Sequence, residues 1–392
     1  MGELHDYKRL RIEITGKCNL KCKYCYNSRF NQLDEVKNQL TLEEIKKIIK
    51  EAFEIGIKEV YLIGGEPFMH PNIFEIMDYI HSFNGKISIS SNGTLLNERI
   101  IEKMKKYDIK TFAISLDGKK SHDEVRINSN HKQIINAIKL IRENLTKNVD
   151  VITIVNNYSK DELLELYQIL KELKIREWAL NHMFSEGRFK ENKNELEIKN
   201  YLEIVEIYIK LLKEYFHDKK PFKLSIHNVY NSEILTEGYD SFDISSHPCE
   251  YYFLDSICMK PSGDVVLCPN NNNFKVNIRE FDSLPNAMKN FNDNSYFKIN
   301  CEKLEDCKNC RYLHLCGGGC RSEAKRKFGY YLFPDPISCI FMQLLESKII
   351  PILPIKERES YTKLIKKELN FPLIKGVKLE EAVEKFKKIK EI

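Results

Sequence analysis

The chain has 392 residues, of which 42% are hydrophobic, so it is long and apolar enough to bury the cores of two or three domains. Its 62 basic and 57 acidic residues leave a formal net charge of +5, which predicts neither a nucleic-acid partner nor a membrane partner. The sequence has no signal-peptide core after Met1 and no apolar run of about 18 residues, so we expect a cytoplasmic location and no transmembrane helix.

Short apolar strands and amphipathic helices alternate through the first half of the chain. Strands are predicted at 10–15, 59–63, 86–91, 111–116, 149–155 and 177–181. Helices are predicted at 42–53, 134–142 and 161–173, and Thr41 forms a capping box with Glu44 at the start of the first helix. Six such units in sequence predict an α/β fold, a partial (β/α)6 TIM-like barrel, with its chemistry at the carboxyl ends of the strands.

The second half of the chain holds nine of the twelve cysteines. We place four segments along the chain: the barrel domain at 1–216, a polar connector at 217–248, a cysteine-rich domain at 249–345 and a helical tail at 346–392. A long helix at 195–216 is predicted to close the barrel domain, and an amphipathic surface helix is predicted at 379–389. Because no secretion signal precedes them, the cysteines are interpreted as metal ligands rather than as disulfides.

Three cysteines follow the first predicted strand directly, with the spacing Cys-x3-Cys-x2-Cys at Cys18, Cys22 and Cys25. Three thiolates this close can hold three irons of a cubane cluster, and the missing fourth ligand leaves one iron open. With Tyr24 before the last cysteine, the motif resembles that of the radical S-adenosylmethionine (SAM) superfamily. The resemblance implies that SAM binds the open iron of a [4Fe-4S] cluster, and that reduction by a flavodoxin or ferredoxin yields a 5′-deoxyadenosyl radical. A three-cysteine zinc site is the alternative.

Segments that follow the next strands resemble the SAM-holding motifs of the same superfamily. The resemblance implies a SAM pocket formed by Tyr24, Gly64, Gly65, Glu66, Pro67, Ser91, Asn92, Ser115, Asp117 and Arg126. In this set, the 64–67 segment is implied to hold the methionyl amino group, and Arg126 is implied to pair with the SAM carboxylate. Ordinary turn residues at Asn92 and Asp117, and a surface charge at Arg126, are the alternatives.

The cysteines of the second half have a spacing of their own. The pattern Cys-x2-Cys-x5-Cys-x3-Cys begins at Cys307, and Cys339 follows it. Together with Cys249 and the segment Gly263-x4-Cys268, it resembles the seven-cysteine pattern of the SPASM domain, an extension of radical SAM enzymes that modify peptides. A pair of structural zinc sites is the alternative.

The SPASM resemblance implies two auxiliary [4Fe-4S] clusters. The implied ligands are Cys249, Cys268 and Cys320 for the first cluster, and Cys307, Cys310, Cys316 and Cys339 for the second. Two closed clusters need eight thiolates, and Cys258 lies between Cys249 and Cys268, so it is the natural eighth ligand. Cys301 stays unassigned, either as a plain thiol or as a ligand that exchanges with another.

In most cases the SPASM resemblance implies a polypeptide substrate. We expect a radical SAM peptide maturase that forms a thioether or carbon–carbon crosslink in a ribosomally made precursor peptide. Sulfatase-maturing relatives have an Asp directly after the cysteine of the Gly-x4-Cys segment, whereas Pro269 follows Cys268 here, so sulfatase maturation ranks below crosslinking. Only residues 1–9 precede the first strand, so recognition of any leader peptide is expected to come from a separate peptide-recognition protein or from another surface. A tetrapyrrole or other small-molecule oxidase and an iron–sulfur electron carrier are the alternatives.

Polar side chains after the sixth predicted strand are further candidates for the active face of the barrel. They are His182, Glu186 and Arg188, and the segment 184–188 resembles a Gly-Arg turn of peptide-modifying relatives. Glu186 and Arg188 are predicted to act as a general base or as a clamp for the substrate. An ordinary surface loop is the alternative.

Overall fold

The computed structural model of the protein describes residues 7–27, 36–232, 256–269, 271–293 and 304–391. Its strands are β1 (Arg9–Glu13), β2 (Glu59–Ile63), β3 (Lys86–Ser91), β4 (Ile109–Ser115), β5 (Val149–Val155), β6 (Glu177–His182), β7 (Lys223–Ile226), β8 (Tyr230–Asn231), β9 (Ser256–Met259), β10 (Asp264–Cys268) and β11 (Asn271–Asn277). They form one sheet with the order β11-β10-β9-β1-β2-β3-β4-β5-β6-β7-β8.

Helices occur throughout the first half of the chain and again in its described C-terminal part. They are α1 (Leu42–Glu54), α2 (Ile73–Ser82), α3 (Glu98–Met104), α4 (Ser121–Val125), α5 (His131–Asn144), α6 (Leu163–Glu172), α7 (Phe189–Leu196), α8 (Tyr201–His217), α9 (Leu284–Asp293), α10 (Leu313–Cys316), α11 (Arg321–Phe328), α12 (Pro336–Leu344), α13 (Ile355–Lys363) and α14 (Leu379–Lys390). Within the described ranges, no helix combines the length and the apolar character needed to span a bilayer.

Strands β1 to β7 run parallel in chain order, which confirms the predicted α/β fold with a parallel sheet. All six predicted strands are present, and β2, β3 and β5 have the predicted bounds. The sheet also continues into the segment interpreted as a polar connector, where β7 pairs in parallel with β6. Because β7 has only four residues, of which Leu224 and Ile226 are buried, it is too short to produce a clear periodic pattern.

Local capping explains where several helices begin. At α1 the Thr41 hydroxyl accepts a hydrogen bond from the Glu44 N–H (3.2 Å), and the Glu44 carboxylate accepts one from the Thr41 N–H (2.7 Å). The helix predicted at 195–216 corresponds to α8, which begins later, at Tyr201, because the side chain of Asn200 accepts a hydrogen bond from the Leu202 N–H and caps the helix there. The preceding helix α7 lies almost wholly before the predicted range.

The C-terminal helix packs against the rest of the chain. It was predicted at 379–389 as an amphipathic surface helix, and α14 covers nearly the same residues. Its apolar stripe of Leu379, Ala382 and Phe386 is buried, and Phe386 packs against the aromatic rings of Phe328 and Phe333. The tail therefore contributes to the core of the cysteine-rich half.

Alternate residues of β1 face opposite sides of the sheet. Leu10 and Ile12 are fully buried in the apolar core that the helices cover. Arg9, Arg11 and Glu13 face the other side, where polar side chains of the neighbouring strands meet them. The carboxyl end of β1 thus carries a charged side chain, Glu13, directly before the loop that holds the first cysteines.

Candidate active site

The first three cysteines lie in the loop that follows β1, and each is half-buried. This loop is fixed by backbone hydrogen bonds, from the Lys21 N–H to the carbonyl of Ile127 (3.1 Å) and from the Lys23 N–H to the carbonyl of Val125 (2.8 Å). The three thiols are near enough to one another that each charge would affect the others. The loop therefore presents a compact set of sulfurs at the carboxyl edge of the sheet.

The segment 64–67 after β2 is fastened to this loop. The N–H of Glu66 donates to the carbonyl of Lys17 (2.8 Å). A Cβ atom added to Gly65 would collide with that same carbonyl and would lie 2.9 Å from the Cβ of Cys18. Only glycine fits there, so the two segments can pack closely and the segment sets the position of the backbone just before Cys18.

Glu66 holds the ends of β2 and β3 together from a fully buried position. Its carboxylate accepts hydrogen bonds from the Ser91 hydroxyl (2.8 Å), the Asn92 N–H (2.8 Å) and the Phe68 N–H (3.3 Å). Burial raises the pKa of Glu66 to about 7, although these donors favour the charged form. Next to it, Pro67 is buried at the start of a short 3₁₀ turn.

Asn92 connects the end of β3 to the first cysteine loop. Its side-chain amide donates to Asn19 Oδ1 (2.9 Å), and its own oxygen accepts from the Thr94 hydroxyl (2.6 Å). Asn19 in turn donates to that hydroxyl (2.7 Å). Ser115 is half-buried at the carboxyl end of β4, on the same edge of the sheet. The polar residues predicted for a SAM pocket therefore gather at one edge.

Asp117 and Arg126 form a buried ion pair, with 2.7 Å between Arg126 Nε and Asp117 Oδ2. The Tyr24 hydroxyl donates to the same carboxylate oxygen (2.5 Å), and the Ile154 N–H donates to the other one (3.0 Å). The guanidinium group also lies over the Tyr24 ring, 5.2 Å from its centroid. Since both oxygens of Asp117 have protein donors, its clearest role is to position Arg126 and Tyr24, and a contact of Asp117 with SAM stays a prediction.

His122 contacts Asp117 of this ion pair and makes the stability of the fold depend on pH. Its Nδ1 accepts a hydrogen bond from the Asp117 N–H (3.2 Å). Burial, together with the charge of Arg126, lowers the pKa of His122 from 6.5 to about 3, so the folded chain keeps the ring neutral. The unfolded chain protonates His122 as the pH falls through 6.5, and this favours unfolding until the folded form titrates too. We expect this residue alone to lower the free energy of unfolding by about 2 kcal/mol between pH 7 and pH 5.

Denaturant unfolding of the wild type and of His122→Asn at both pH values measures this contribution. The loss of stability between pH 7 and pH 5 should be smaller in the variant by about 2 kcal/mol. His81→Asn, at an exposed position of α2, is the matched control and should keep the wild-type pH dependence. An unchanged pH dependence in His122→Asn would contradict the assignment.

The cysteines of the second half gather in two groups. The first group contains Cys258, Cys268 and Cys320, and the second contains Cys307, Cys310, Cys316 and Cys339. The second group lines an apolar cavity together with Tyr312, Leu313 and Met342. Cys249 and Cys301 lie outside the described residues. The grouping corresponds to the ligand sets implied by the SPASM resemblance, with Cys258 in the first set, and ligation by these residues stays a prediction.

The chemistry of these thiols fits iron–sulfur clusters. Burial raises the pKa of Cys18, Cys258 and Cys320 to about 12 and that of Cys22 to about 11, so none of them ionises near neutral pH without added positive charge. Bound metal supplies such charge and deprotonates its thiol ligands. Among the described side chains, no three His, Cys, Asp or Glu converge on a position for a single metal ion. The fit therefore rests on burial, grouping and chemistry.

The candidates after β6 have different surroundings. His182 ends β6 and stacks on Phe341, with 4.7 Å between the ring centroids. Burial, followed by the neighbouring imidazole of His227, lowers the pKa of His182 to about 3, so the ring is neutral. Glu186 forms ion pairs with two cationic side chains, and Arg188 reaches the first cysteine loop. Roles for Glu186 and Arg188 in catalysis or substrate binding stay predictions.

A buried ion pair at the carboxyl end of β1 was not singled out in the sequence. Lys260 Nζ lies 2.7 Å from Glu13 Oε1 and donates to the carbonyl of Pro269 (2.8 Å). The Tyr26 hydroxyl donates to the same Glu13 oxygen (3.4 Å). The two charged residues are 247 positions apart, so no local pattern could have linked them.

Comparison with known proteins gives a family match over most of the barrel domain. Residues 12–170 match the family described as the Radical SAM superfamily. GTP 3′,8-cyclase of Clostridium perfringens (strain 13 / Type A) is 32% identical over 176 residues, which are 44% of this chain and 53% of the cyclase. The chain thus spans about half the length of the cyclases that it matches.

Other similarities extend over most of the chain. The AdoMet-dependent heme synthase of Methanosarcina barkeri (strain Fusaro / DSM 804) is 25% identical over 348 residues, which are 84% of this chain and 95% of the synthase. Streptococcus suis SuiB, solved bound to precursor peptide SuiA, has a TM-score of 0.66 at 17% identity and covers 84% of this chain and 75% of SuiB. Native anSMEcpe, solved with bound AdoMet and the Kp18Cys peptide, has a TM-score of 0.68 at 19% identity, over 88% and 97% of the two chains.

The two solved structures show a shared fold that includes the cysteine-rich half. The motifs after β1 to β4 lie in the region that matches the family, and the described geometry brings them to one edge of the sheet. Residues 12–170 therefore match a radical SAM domain, the kind of domain that uses SAM and a [4Fe-4S] cluster.

Proposed function

We propose that this radical SAM enzyme is a peptide maturase that forms a thioether or carbon–carbon crosslink in a ribosomally made precursor peptide. The observation that carries the proposal is that the cysteine-rich second half is joined both to the barrel sheet and to the loop after β6 at its carboxyl edge. Cys258 in β9 pairs in register with Arg11 of β1, and Glu323, just after Cys320, contacts the loop after β6. SuiB and anSMEcpe, which share the fold over most of the chain, were solved with peptides.

In this proposal, three groups of residues have separate roles. Cys18, Cys22 and Cys25 would hold the SAM cluster, which when bound supplies the electron that cleaves SAM to a 5′-deoxyadenosyl radical. Arg126, held by Asp117, would orient the SAM carboxylate. The two cysteine groups of the second half would hold auxiliary clusters close to the substrate.

A second candidate is the oxidation of a tetrapyrrole. It is favoured by the similarity to the heme synthase, which extends over 84% of this chain and 95% of that protein. Sulfatase-type oxidation ranks lower, because Pro269 directly follows Cys268 and has no side chain that can accept a proton.

The test compares both substrate classes with one enzyme preparation. After anaerobic reconstitution with iron and sulfide, we expect about 12 irons per chain, four for each of three clusters. Under dithionite the enzyme should release 5′-deoxyadenosine. With a pool of synthetic cysteine-containing peptides, mass spectrometry should detect a product that has lost two hydrogen atoms, whereas iron-coproporphyrin should remain unchanged.

Two cysteine variants are the controls for this assay. Cys22→Ala should abolish 5′-deoxyadenosine formation and lower the iron count to about 8, because only the SAM cluster is lost. Cys310→Ala should lower the count equally but keep the cleavage of SAM. Modification of the porphyrin without modification of any peptide would replace the first candidate by the second.

A further inference from the structure

The loop 184–188 contacts both cysteine regions of the molecule. It follows β6 at the carboxyl edge of the sheet, with the first cysteine loop on one side and helix α11 on the other. Residues in such a position can transmit a displacement of one cysteine region to the other. The contacts on each side show how firmly the loop is held.

On the side of the first cysteines, the loop is packed directly on their backbone. Arg188 Nε donates to the carbonyl of Cys22 (3.0 Å), and the Arg188 N–H donates to the carbonyl of Cys25 (3.0 Å). Gly187 has a φ of +63°, and a Cβ atom there would collide with the carbonyls of Cys25 and Tyr26. The Arg188 charge is also near enough to the sulfurs of Cys22 and Cys25 to favour their thiolate forms.

On the other side, two acidic residues and one arginine connect the loop to α11. The N–H and the hydroxyl of Ser185 donate to the Glu323 carboxylate, at 3.3 and 3.2 Å. Arg326 Nη1 donates to Glu323 (2.6 Å), and Arg326 Nε donates to Glu186 (3.3 Å). The guanidinium group also lies 5.8 Å from the centroid of the Phe184 ring.

These are not ordinary surface ion pairs. The side chains of Glu323 and Arg326 are only 5% and 11% exposed, so their charges are poorly screened and their geometry is well defined. Helix α11 begins directly after Cys320, and the charge of Glu323 is near enough to the Cys320 sulfur to affect it. Glu323 therefore lies close to a cysteine of the second half while its side chain contacts the loop of the first half.

We propose that Glu323 and Arg326 are positioning residues through which the cysteine-rich half holds Arg188 against the Cys22–Cys25 loop. The environment of the SAM cluster then depends on helix α11, although α11 belongs to the other half of the chain. Charged groups and hydrogen bonds around the ligands tune the properties of such clusters, so a shift of Arg188 changes the SAM site. The inference rests on the radical SAM chemistry and is the same for a peptide or a tetrapyrrole substrate.

The experiment measures the SAM cluster separately from the others. Electron paramagnetic resonance spectra of the dithionite-reduced, reconstituted enzyme are recorded with and without SAM, because the difference spectrum reports the cluster that binds SAM. Arg326→Gln should alter this difference spectrum and slow SAM cleavage without substrate by about tenfold. Arg326→Lys should recover part of the effect, because it keeps the charge but not the planar fork.

Lys325→Gln is the matched control, since Lys325 lies on the same helix but bonds only to the carbonyl of Gly329 among its described hydrogen-bond partners. It should have the wild-type difference spectrum. If Arg326→Gln loses iron, then Glu186→Gln decides, because Glu186 is 37% exposed and its replacement leaves α11 intact. A wild-type difference spectrum in Arg326→Gln at full iron content overturns the proposal. If Arg326→Gln has lost iron, a wild-type difference spectrum in Glu186→Gln overturns it instead.

Discussion

Asp117→Asn is expected to destabilise the fold and to abolish tight SAM binding together. The substitution is nearly isosteric, but it leaves the guanidinium group of Arg126, which is 5% exposed, without its buried counter-ion. Removing one partner of a buried ion pair typically costs about 3–5 kcal/mol. The Tyr24 hydroxyl also loses its charged acceptor, and burial holds the pKa of that phenol well above its usual value. Denaturant unfolding and calorimetric titration with SAM measure the two effects.

A more exposed ion pair, with lysine in place of arginine, provides the control. Asp78 also accepts a hydrogen bond from a tyrosine, Tyr107 (2.8 Å), and pairs with a cation, Lys106 (2.5 Å), but its side chain is 51% exposed. Asp78→Asn should cost less than about 1 kcal/mol, because water screens the charges, and it should leave SAM binding unchanged. Equal losses of stability in the two variants would show that burial of the Asp117 pair has no energetic consequence.

Lys260→Met is the second substitution with a large expected effect. Lys260 and Glu13 are 3% and 1% exposed, so the variant leaves a carboxylate buried without a cation. We expect the free energy of unfolding to fall by about 3–5 kcal/mol. The double variant Glu13→Gln/Lys260→Met removes both charges and should recover much of that loss, since a neutral pair has no comparable desolvation cost. A double-mutant cycle by denaturant unfolding gives the coupling energy.

Lys275 offers a matched comparison in the same part of the sheet. It pairs with Asp264 at 2.8 Å, but its side chain is 49% exposed. Lys275→Met should therefore change the free energy of unfolding by less than about 1 kcal/mol. If the double variant at positions 13 and 260 were no more stable than Lys260→Met alone, the two charges would not be energetically coupled.

The parts of the fold that the sequence predicted well are those with strong local patterns. The strands β2, β3 and β5 are short runs rich in apolar residues, and their predicted bounds are correct. The Thr41 capping box is a local hydrogen-bond pattern, and it gave the correct start of α1. The short strand β7 has no such signal and was missed. The start of α8 was predicted too early, because apolar residues at helical spacing already precede the capping residue Asn200.

The candidate site was predictable to the extent that its residues follow a motif in the chain. The first cysteines and the 64–67 segment do so, and the structure brings them together. Long-range contacts between charged residues had no such signal: Lys260 meets Glu13, and Arg326 meets Glu186. The sequence also could not show that Asp117 faces Arg126, because the orientation of a turn carboxylate depends on its neighbours in space.

The parallel pairing of β9 with β1 has a consequence for how the chain folds and tolerates cutting. The second half of the molecule supplies the strand that covers the outer backbone groups of β1. A polypeptide ending after β8 would expose that row of N–H and C=O groups as an open edge, which invites association with other chains. The two halves are therefore expected to unfold as one cooperative unit, and a fragment that ends after β8 should aggregate when it is expressed alone.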